Sequence, residues 1–532
     1  MDLAPKKGVL RLYWADRVAK EIIDSGKYKP YWVDDMFTPS GFAHIGSLRG
    51  PLVHDLIYKA LEHLNEEATF SFIINDFDAI DGLPDDLKEK FSDYMGVPLK
   101  NAPSPVEGFK CFADYFADDF KNVLTSLGVT PNYYSSWDLY HEGKFDEVIK
   151  EALDNAEKIQ DIYQRISGSK KKEIEWLPFQ VICENCGKLG TTRVHDWDGK
   201  TVAYKCEPEM VKWAKGCGNE GRISPFGGTG KLPWKVDWPA HWKVLGVTIE
   251  GAGKDHSSAG GSRDIAREEC KEVFQIEEPY NLPYEFFLIG GKKMGSSKGL
   301  GLKAKDAKDL LPPELARFLF SRTDYKQAVE FDPIATMAIP DLFDEYDRCY
   351  KAYIDSSDET LSRAFEMAQI SMLSDVKPEI LPRFRDVVNY MQMANIDILK
   401  KYEELKKSPL SDIEKNILEE RVEYAKVWLE KYAPDEFKIA MIGELPEMVK
   451  DLTGDQKKFL LEAVNLIKEN ENPESLQLAL YNLTKELKFD AKKSFSAIYI
   501  SLIGKQFGPK AAWFILSYPK EDVIKRFEEA SK

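Results

Sequence analysis

Pro30-Tyr31-Trp32-Val33, Met36-Phe37-Thr38-Pro39-Ser40-Gly41 and the run from Ala43 to Leu64 decide the fold. The first stretch is short, aromatic and β-branched, which reads as a buried strand. The second is a turn-rich loop. In the third, apolar residues recur at helical spacing, with Ile45, Leu48, Leu52 and Leu56 in one row and Val53, Ile57, Ala60 and Leu64 in another. Ala68 to Ile74 then reads as a second strand. Strand, Gly-bearing turn, helix and strand make a β-α-β unit. Its right-handed crossover predicts an α/β fold with a parallel, doubly wound sheet and a ligand crevice at the strand C-termini. The loop from Thr38 to Gly46 is expected at that crevice.

Working outward, Leu12 to Ile23 reads as an amphipathic helix in front of the first strand. From about Ser167 the composition changes. A Lys170-Lys171-Lys172 run, four cysteines and loops rich in Gly and Pro up to Lys231 read as an inserted module. The sheet is expected to resume with strands at Gly246 to Glu250 and Tyr284 to Ile289, separated by a helix from Ser262 to Val273. After Pro313 the strand signals fade. Asp386 to Lys406, Ile413 to Lys431, Asp455 to Glu469 and Ser475 to Leu487 read as amphipathic helices of an all-α C-terminal domain. The expected division is 1–165 and 233–312 as halves of one domain, 166–232 as the insertion, 313–385 as a helical connection and 386–532 as the helical domain.

A chain of 532 residues suggests three or four domains at about 150 residues each. With 43% hydrophobic and 30% charged residues, the composition is globular, neither disordered nor fibrous. No stretch approaches about 18 consecutive apolar residues, and Met1 to Arg11 has neither an apolar run nor a small-residue cleavage site, so a soluble cytoplasmic protein with no membrane partner is expected. The formal charge of −16 argues against indiscriminate coating of DNA or RNA, but permits a basic groove facing one particular RNA.

His44-Ile45-Gly46-Ser47 is placed where a helix begins. Free backbone N–H groups, the positive end of the helix dipole and an imidazole can there meet a phosphate. Lys292-Lys293-Met294-Gly295-Ser296-Ser297-Lys298-Gly299 follows a strand and packs lysines and serines into a loop able to close over a triphosphate. Alone, the first reads as a helix-capping His and the second as a solvated basic turn; as an ordered pair in an interrupted α/β domain they are far more specific. Cys183-Glu184-Asn185-Cys186 has the spacing of a zinc knuckle, with Cys206 and Cys217 following. Four thiolates so spaced can close a structural tetrahedral Zn²⁺ site. A redox Cys-x-x-Cys is the rival. Cys111, Cys270 and Cys349 read as small buried hydrophobes, and His54 and His63 are given no role.

His44-Ile45-Gly46-Ser47 and Lys293-Met294-Gly295-Ser296-Ser297 resemble the two signature motifs of class I aminoacyl-tRNA synthetases. Thr38-Pro39-Ser40-Gly41, the Pro233-to-Trp242 stretch, Gly253-Lys254-Asp255-His256 and Gly260-Gly261-Ser262 make the chain similar to the class I lysyl-tRNA synthetases of archaeal type. The likeness covers about Tyr31 to Gly301; Gly295 and Ser296 replace Ser and Lys of the usual second motif, and Met36 a usual Gly. The resemblance implies a Rossmann-like catalytic domain and ligation of L-lysine to tRNA(Lys) through lysyl-adenylate, with ATP and Mg²⁺. It implies catalytic roles for His44, Gly46, Lys293 and Lys298. ATP contacts are expected at Thr38, Ser40, Gly41, His44, Ser47, Lys293, Met294, Ser296, Ser297 and Lys298. Thr38, Trp234, His256 and Tyr284 match lysine-pocket positions.

A glutamate-specific site needs a cation, typically an Arg just before the first loop, where this chain has Asp34-Asp35-Met36-Phe37. An ammonium needs a carboxylate and an aromatic wall, for which Asp34, Asp35, Asp76, Asp78, Asp237 and Asp255 with Trp234 are candidates. A glutamyl-type synthetase and a non-catalytic RNA-binding paralogue are the alternatives.

Overall fold

A computed structural model describes residues 12–169, 176–293, 302–371, 377–393, 396–438, 441 and 443–532. Two compact units divide it, one of Met1–Phe331 with Arg348–Leu373 and one of Asp332–Asp347 with Ser374–Lys532.

The first unit opens with helix α1 (Trp14–Ser25), strand β1 (Tyr31–Phe37), helix α2 (Arg49–His63) and strand β2 (Ala68–Ile74). Helix α3 (Phe112–Ser126) leads to strand β3 (Asn132–Ser135). β1 pairs parallel with β2, and β2 with β3, in the order β1-β2-β3. On the other side of β1, Ile249 bridges Val33 and Tyr280, both in parallel. The sheet therefore winds outward from β1 in both directions, and the crevice at the C-terminal end of β1 is the switch point where ligands sit in such folds. Val33, Phe72, Ile73, Leu52 and Leu56 are fully buried between sheet and helices.

The inserted segment carries an antiparallel sheet of β4 (Thr192–His195), β5 (Val202–Cys206) and β6 (Glu220–Ile223), whose Val194, Val202 and Tyr204 join the core. Helices α4 (Trp234–Leu245) and α5 (Ser262–Glu269) return the chain to the main sheet. Strands β7 (Phe287–Ile289) and β8 (Lys292–Lys293) form a tight antiparallel hairpin, followed by helix α6 (Pro313–Ser321) and strand β9 (Val329–Glu330), which pairs parallel with β7.

The second unit is helical: α7 (Phe384–Met391), α8 (Ile398–Lys406), α9 (Asp412–Val427), α10 (Gly454–Glu469), α11 (Pro473–Glu486), α12 (Ala491–Ile503), α13 (Ala511–Leu516) and α14 (Lys520–Ala530). Phe459, Leu460, Leu476, Ile498, Phe514 and Phe527 fill its core. Ser411 with Glu414 and Thr453 with Gln456 close capping boxes that start α9 and α10.

Four elements differ from expectation. The Ala43–Leu64 helix begins as a 3-10 turn at Ile45–Leu48. The Gly246–Glu250 strand is reduced to bridges at Ile249, because the amide two residues on, Gly251 N–H, turns aside to His54 Nε2. Tyr284–Ile289 splits where Glu285 N–H bonds Tyr325 O, leaving Tyr284 and Phe287 in separate sheets. Asp386–Lys406 is two helices, since Asp397 accepts the Lys400 N–H and starts a new one.

Candidate active site

His44 is the extended residue before the 3-10 turn, with φ −83° and ψ 159°. Its backbone forms an antiparallel bridge with Lys303, and Ile45 N–H donates to Leu302 O at 2.8 Å. The chain returning from the second motif is thereby laced to the first. Burial, and then the Lys293 charge, hold the His44 pKa below its ordinary value; its buried Nδ1 has no hydrogen-bond partner. A cleft of about 340 Å³ is lined by His44, Gly46, Ser47, Asp255, His256, Tyr284 and Lys293. Seven residues expected at the site from separated parts of the sequence thus converge.

Lys293 stands at the end of the β7–β8 hairpin, whose turn is pinned by Glu330 accepting the Gly291 N–H at 3.0 Å. Its ammonium pairs with Asp255 at 2.8 Å and lies 3.8 Å from the Phe286 ring centroid. Burial opposes ionisation of Asp255, but Lys293 and His256 outweigh it and hold its pKa below the usual range. Met294, Gly295, Ser296, Ser297 and Lys298 lie outside the described residues.

Trp234 is 40% exposed, with its ring centroid 5.5 Å from that of His256. Behind it, Glu250 accepts the indole N–H groups of Trp238, at 2.7 Å, and Trp242. Burial raises the Glu250 pKa to about 7 against these donors and Arg263, whose guanidinium covers Trp242. Thr38, Ser40 and Gly41 belong to the loop after β1 and are not among the cleft-lining residues. Thr38 Oγ1 donates to Asp78 Oδ2 at 3.0 Å, Ser40 N–H to Thr38 O at 2.9 Å, and Gly41 packs on Pro84.

Asp237 does not fit the expectation of a substrate contact. Its carboxylate is buried and taken by the Lys231 ammonium at 3.1 Å and the Tyr140 hydroxyl. Sequence reading missed Lys231, which also holds Asp78 at 2.6 Å. It missed Arg49 too, which ties the first motif to the end of α6 through Phe320 O, Asp324 O and Gln327 O. A charged residue inside an otherwise apolar helix row was the available signal. His54 is buried: Nδ1–H donates to Gly50 O at 2.8 Å and Nε2 accepts from Gly251 at 2.7 Å. Burial lowers its pKa, while Asp35, 3.4 Å from Nδ1, raises it and prevails, yet the Gly251 N–H occupies the direction a second ring proton would take.

In the insertion, the Sγ atoms of Cys183, Cys186, Cys206 and Cys217 all lie within 4.8 Å of one another. Cys183 and Cys217 are 3.6 Å apart, Cys186 and Cys206 3.7 Å. Four Zn–S bonds of about 2.3 Å in a tetrahedron require sulfur separations of about 3.8 Å, so the group fits zinc. A Cβ on Gly216 would run into the Glu207 carbonyl and stand 3.0 Å from Cys206 Sγ, so only glycine lets this segment close the group. His195, on β4, is not part of it. Among the described residues no helix is long and apolar enough to cross a membrane.

A family model for class I tRNA synthetases (K) matches residues 12–373. The lysine–tRNA ligase of Archaeoglobus fulgidus is 32% identical over 523 residues, covering 98% of this chain and 100% of that protein. That of Methanocaldococcus jannaschii is 33% identical over 539 residues, covering 97% and 99%. A solved glutamate tRNA ligase from Elizabethkingia meningosepticum aligns over 94% of this chain and 99% of its own, at 12% identity and a TM-score of 0.44. With His44 and Lys293 lining one cleft and a family match over residues 12–373, the chain belongs to the class I (K) tRNA synthetases.

Proposed function

We propose that this chain attaches L-lysine to tRNA(Lys) in the cytoplasm in two steps, activation by ATP to lysyl-adenylate and transfer to the terminal ribose. The observation that carries this reading is the cleft that His44, Lys293 and His256 line together, with the Trp234 ring 5.5 Å from that of His256. The lysine carboxylate is already ionised when it attacks the α-phosphate, so no general base is needed and rate comes from alignment and charge neutralisation.

His44, one turn before α2 and with its pKa held down by burial, donates a hydrogen bond to phosphate. Lys293 leaves Asp255 for the phosphates, bringing its charge where negative charge grows as pyrophosphate departs. Asp255 and Glu285, both lining the cleft, are the oxygen donors fit to hold Mg²⁺, which when bound adds positive charge at the phosphates. Met294, Ser296, Ser297 and Lys298 complete the second motif, and Lys298 supplies the charge that Ser296 lacks. Thr38, Ser40 and Gly41 shape the loop beside the α-phosphate and α-amino group, while Trp234 walls the methylene stem of lysine. The Cys183-Cys186-Cys206-Cys217 zinc site holds the insertion, which contacts the acceptor stem; the helical unit reads the anticodon.

The test is aminoacylation of total tRNA with lysine and with glutamate. Lysyl-tRNA alone is expected, and Trp234→Ala should raise the lysine KM more than the ATP KM. Charging with glutamate, or equal effects on both KM values, contradicts the reading.

A further inference from the structure

The structure separates the carboxylates that sequence leaves equivalent. Asp78 and Asp237 share the Lys231 ammonium. Asp76 accepts from Ser135 Oγ at 2.7 Å and Trp137 N–H at 2.8 Å and lies 3.3 Å from Lys100. Asp255 holds Lys293. Asp34 accepts from Ser71 at Oδ1, its buried Oδ2 accepts no hydrogen bond, and burial pushes its pKa well up. Asp35 differs in what it faces. Its Oδ1 takes the Met36 N–H at 2.9 Å, while Oδ2 is buried, accepts no hydrogen bond and lies 3.4 Å from His54 Nδ1. The His54 Nδ1 proton, though close by, goes to the Gly50 carbonyl.

What Oδ2 faces is the bare Cα of Gly50 in the first turn of α2. A Cβ on Gly50 would stand 2.7 Å from Asp35 Oδ2 and 2.8 Å from the hydroxyl of Tyr284, which lines the cleft. A carboxylate oxygen without a hydrogen bond and a phenol oxygen therefore converge on one glycine, an approach that any side chain there would block.

We infer that Asp35 reads the side-chain ammonium of the amino-acid substrate, with the Tyr284 hydroxyl as a second acceptor and Gly50 as the residue whose missing side chain lets the two oxygens converge. This rests on the lysine reading above and names the residue behind it. An ammonium carries three N–H donors and no acceptor, which suits two converging oxygens. The same arrangement rejects a neutral side chain of equal shape, because that leaves a buried carboxylate without a partner.

The test is ATP–pyrophosphate exchange by the whole chain with L-lysine and with norleucine, which is lysine without its ammonium. Asp35→Asn should lower kcat/KM for lysine by about 100-fold or more, leave the ATP KM nearly unchanged and collapse the lysine-to-norleucine ratio. Gly50→Ala, whose Cβ would push the two oxygens apart, should lose lysine in the same way and decides the matter if Asp35→Asn does not fold. Asp34→Asn should keep the wild-type ratio. A folded Asp35→Asn or Gly50→Ala protein that still prefers lysine by the wild-type factor overturns the assignment alone. Wild-type protein that ignores lysine overturns the functional reading and this inference together.

Discussion

Glu414 in the helical unit and Asp35 in the α/β unit are both carboxylates with almost no exposed surface, and their surroundings treat them oppositely. Glu414 accepts from Ser411 N–H at 2.7 Å, Ser411 Oγ at 2.8 Å and Lys406 at 2.7 Å, and its other oxygen takes the N–H groups of Glu379 and Ile380. Burial works against its charge, but Lys406 and the Ser411 donors prevail and bring its pKa down to about 2. Asp35 has one hydrogen-bond donor, the adjacent amide, and its second oxygen lies 3.4 Å from His54 Nδ1 without a hydrogen bond. A buried charge whose hydrogen bonds close within the chain stabilises the fold. One left open costs stability and awaits a ligand.

The largest effect that can sharpen this contrast is at the cysteines, four ligand atoms gathered with nothing between them but each other. Elemental analysis should find about one equivalent of zinc, Cys183→Ser should lower it, and the melting temperature should fall with it. Metal-free protein of full stability and activity contradicts that.

Glu414→Ala should lower the unfolding free energy by about 3 kcal/mol, because it strands five donors, while the lysine KM stays put. The pH dependence has a definite sign. With a folded pKa of about 2 against about 4.5 unfolded, the contribution of Glu414 is complete above pH 4.5 and lost as pH falls toward 2. Urea melts across that window should show the loss in wild type and its absence in Glu414→Ala. If Glu414→Ala instead impaired lysine activation at unchanged stability, the contrast between the units would break.

His44→Ala and Lys293→Ala should each cut kcat for adenylation by about 100-fold, or about 2.7 kcal/mol, with smaller changes in the ATP KM. Transfer from preformed lysyl-adenylate should suffer less, since pyrophosphate has already left. Lys298→Ala should match Lys293→Ala if it replaces the charge missing at Ser296. A silent Lys298→Ala beside a severe Lys293→Ala defeats that substitution; silence of both defeats the loop assignment.

Sequence carried the α/β architecture because Tyr31–Val33 and Ala68–Ile74 are strands by local composition, and the intervening helix row has an unambiguous period. It carried the Cys grouping for the same reason, through fixed spacing. The meeting of His44, Asp255, Tyr284 and Lys293 could be expected only from paired motifs, because their proximity depends on the sheet's winding. Partnership was not legible at all. Asp35 and Asp237 look alike in sequence, and only Lys231 and Tyr140, distant from both the first loop and each other in the chain, distinguish a committed acid from an open one. The break within Asp386–Lys406 was missed because its apolar period continues through a turn that Asp397 caps from inside.

The most direct measurement is ATP–pyrophosphate exchange by the purified full chain with lysine and glutamate side by side. The account predicts exchange with lysine, abolished by Lys293→Ala, and background with glutamate. Exchange driven by glutamate and not by lysine would contradict it.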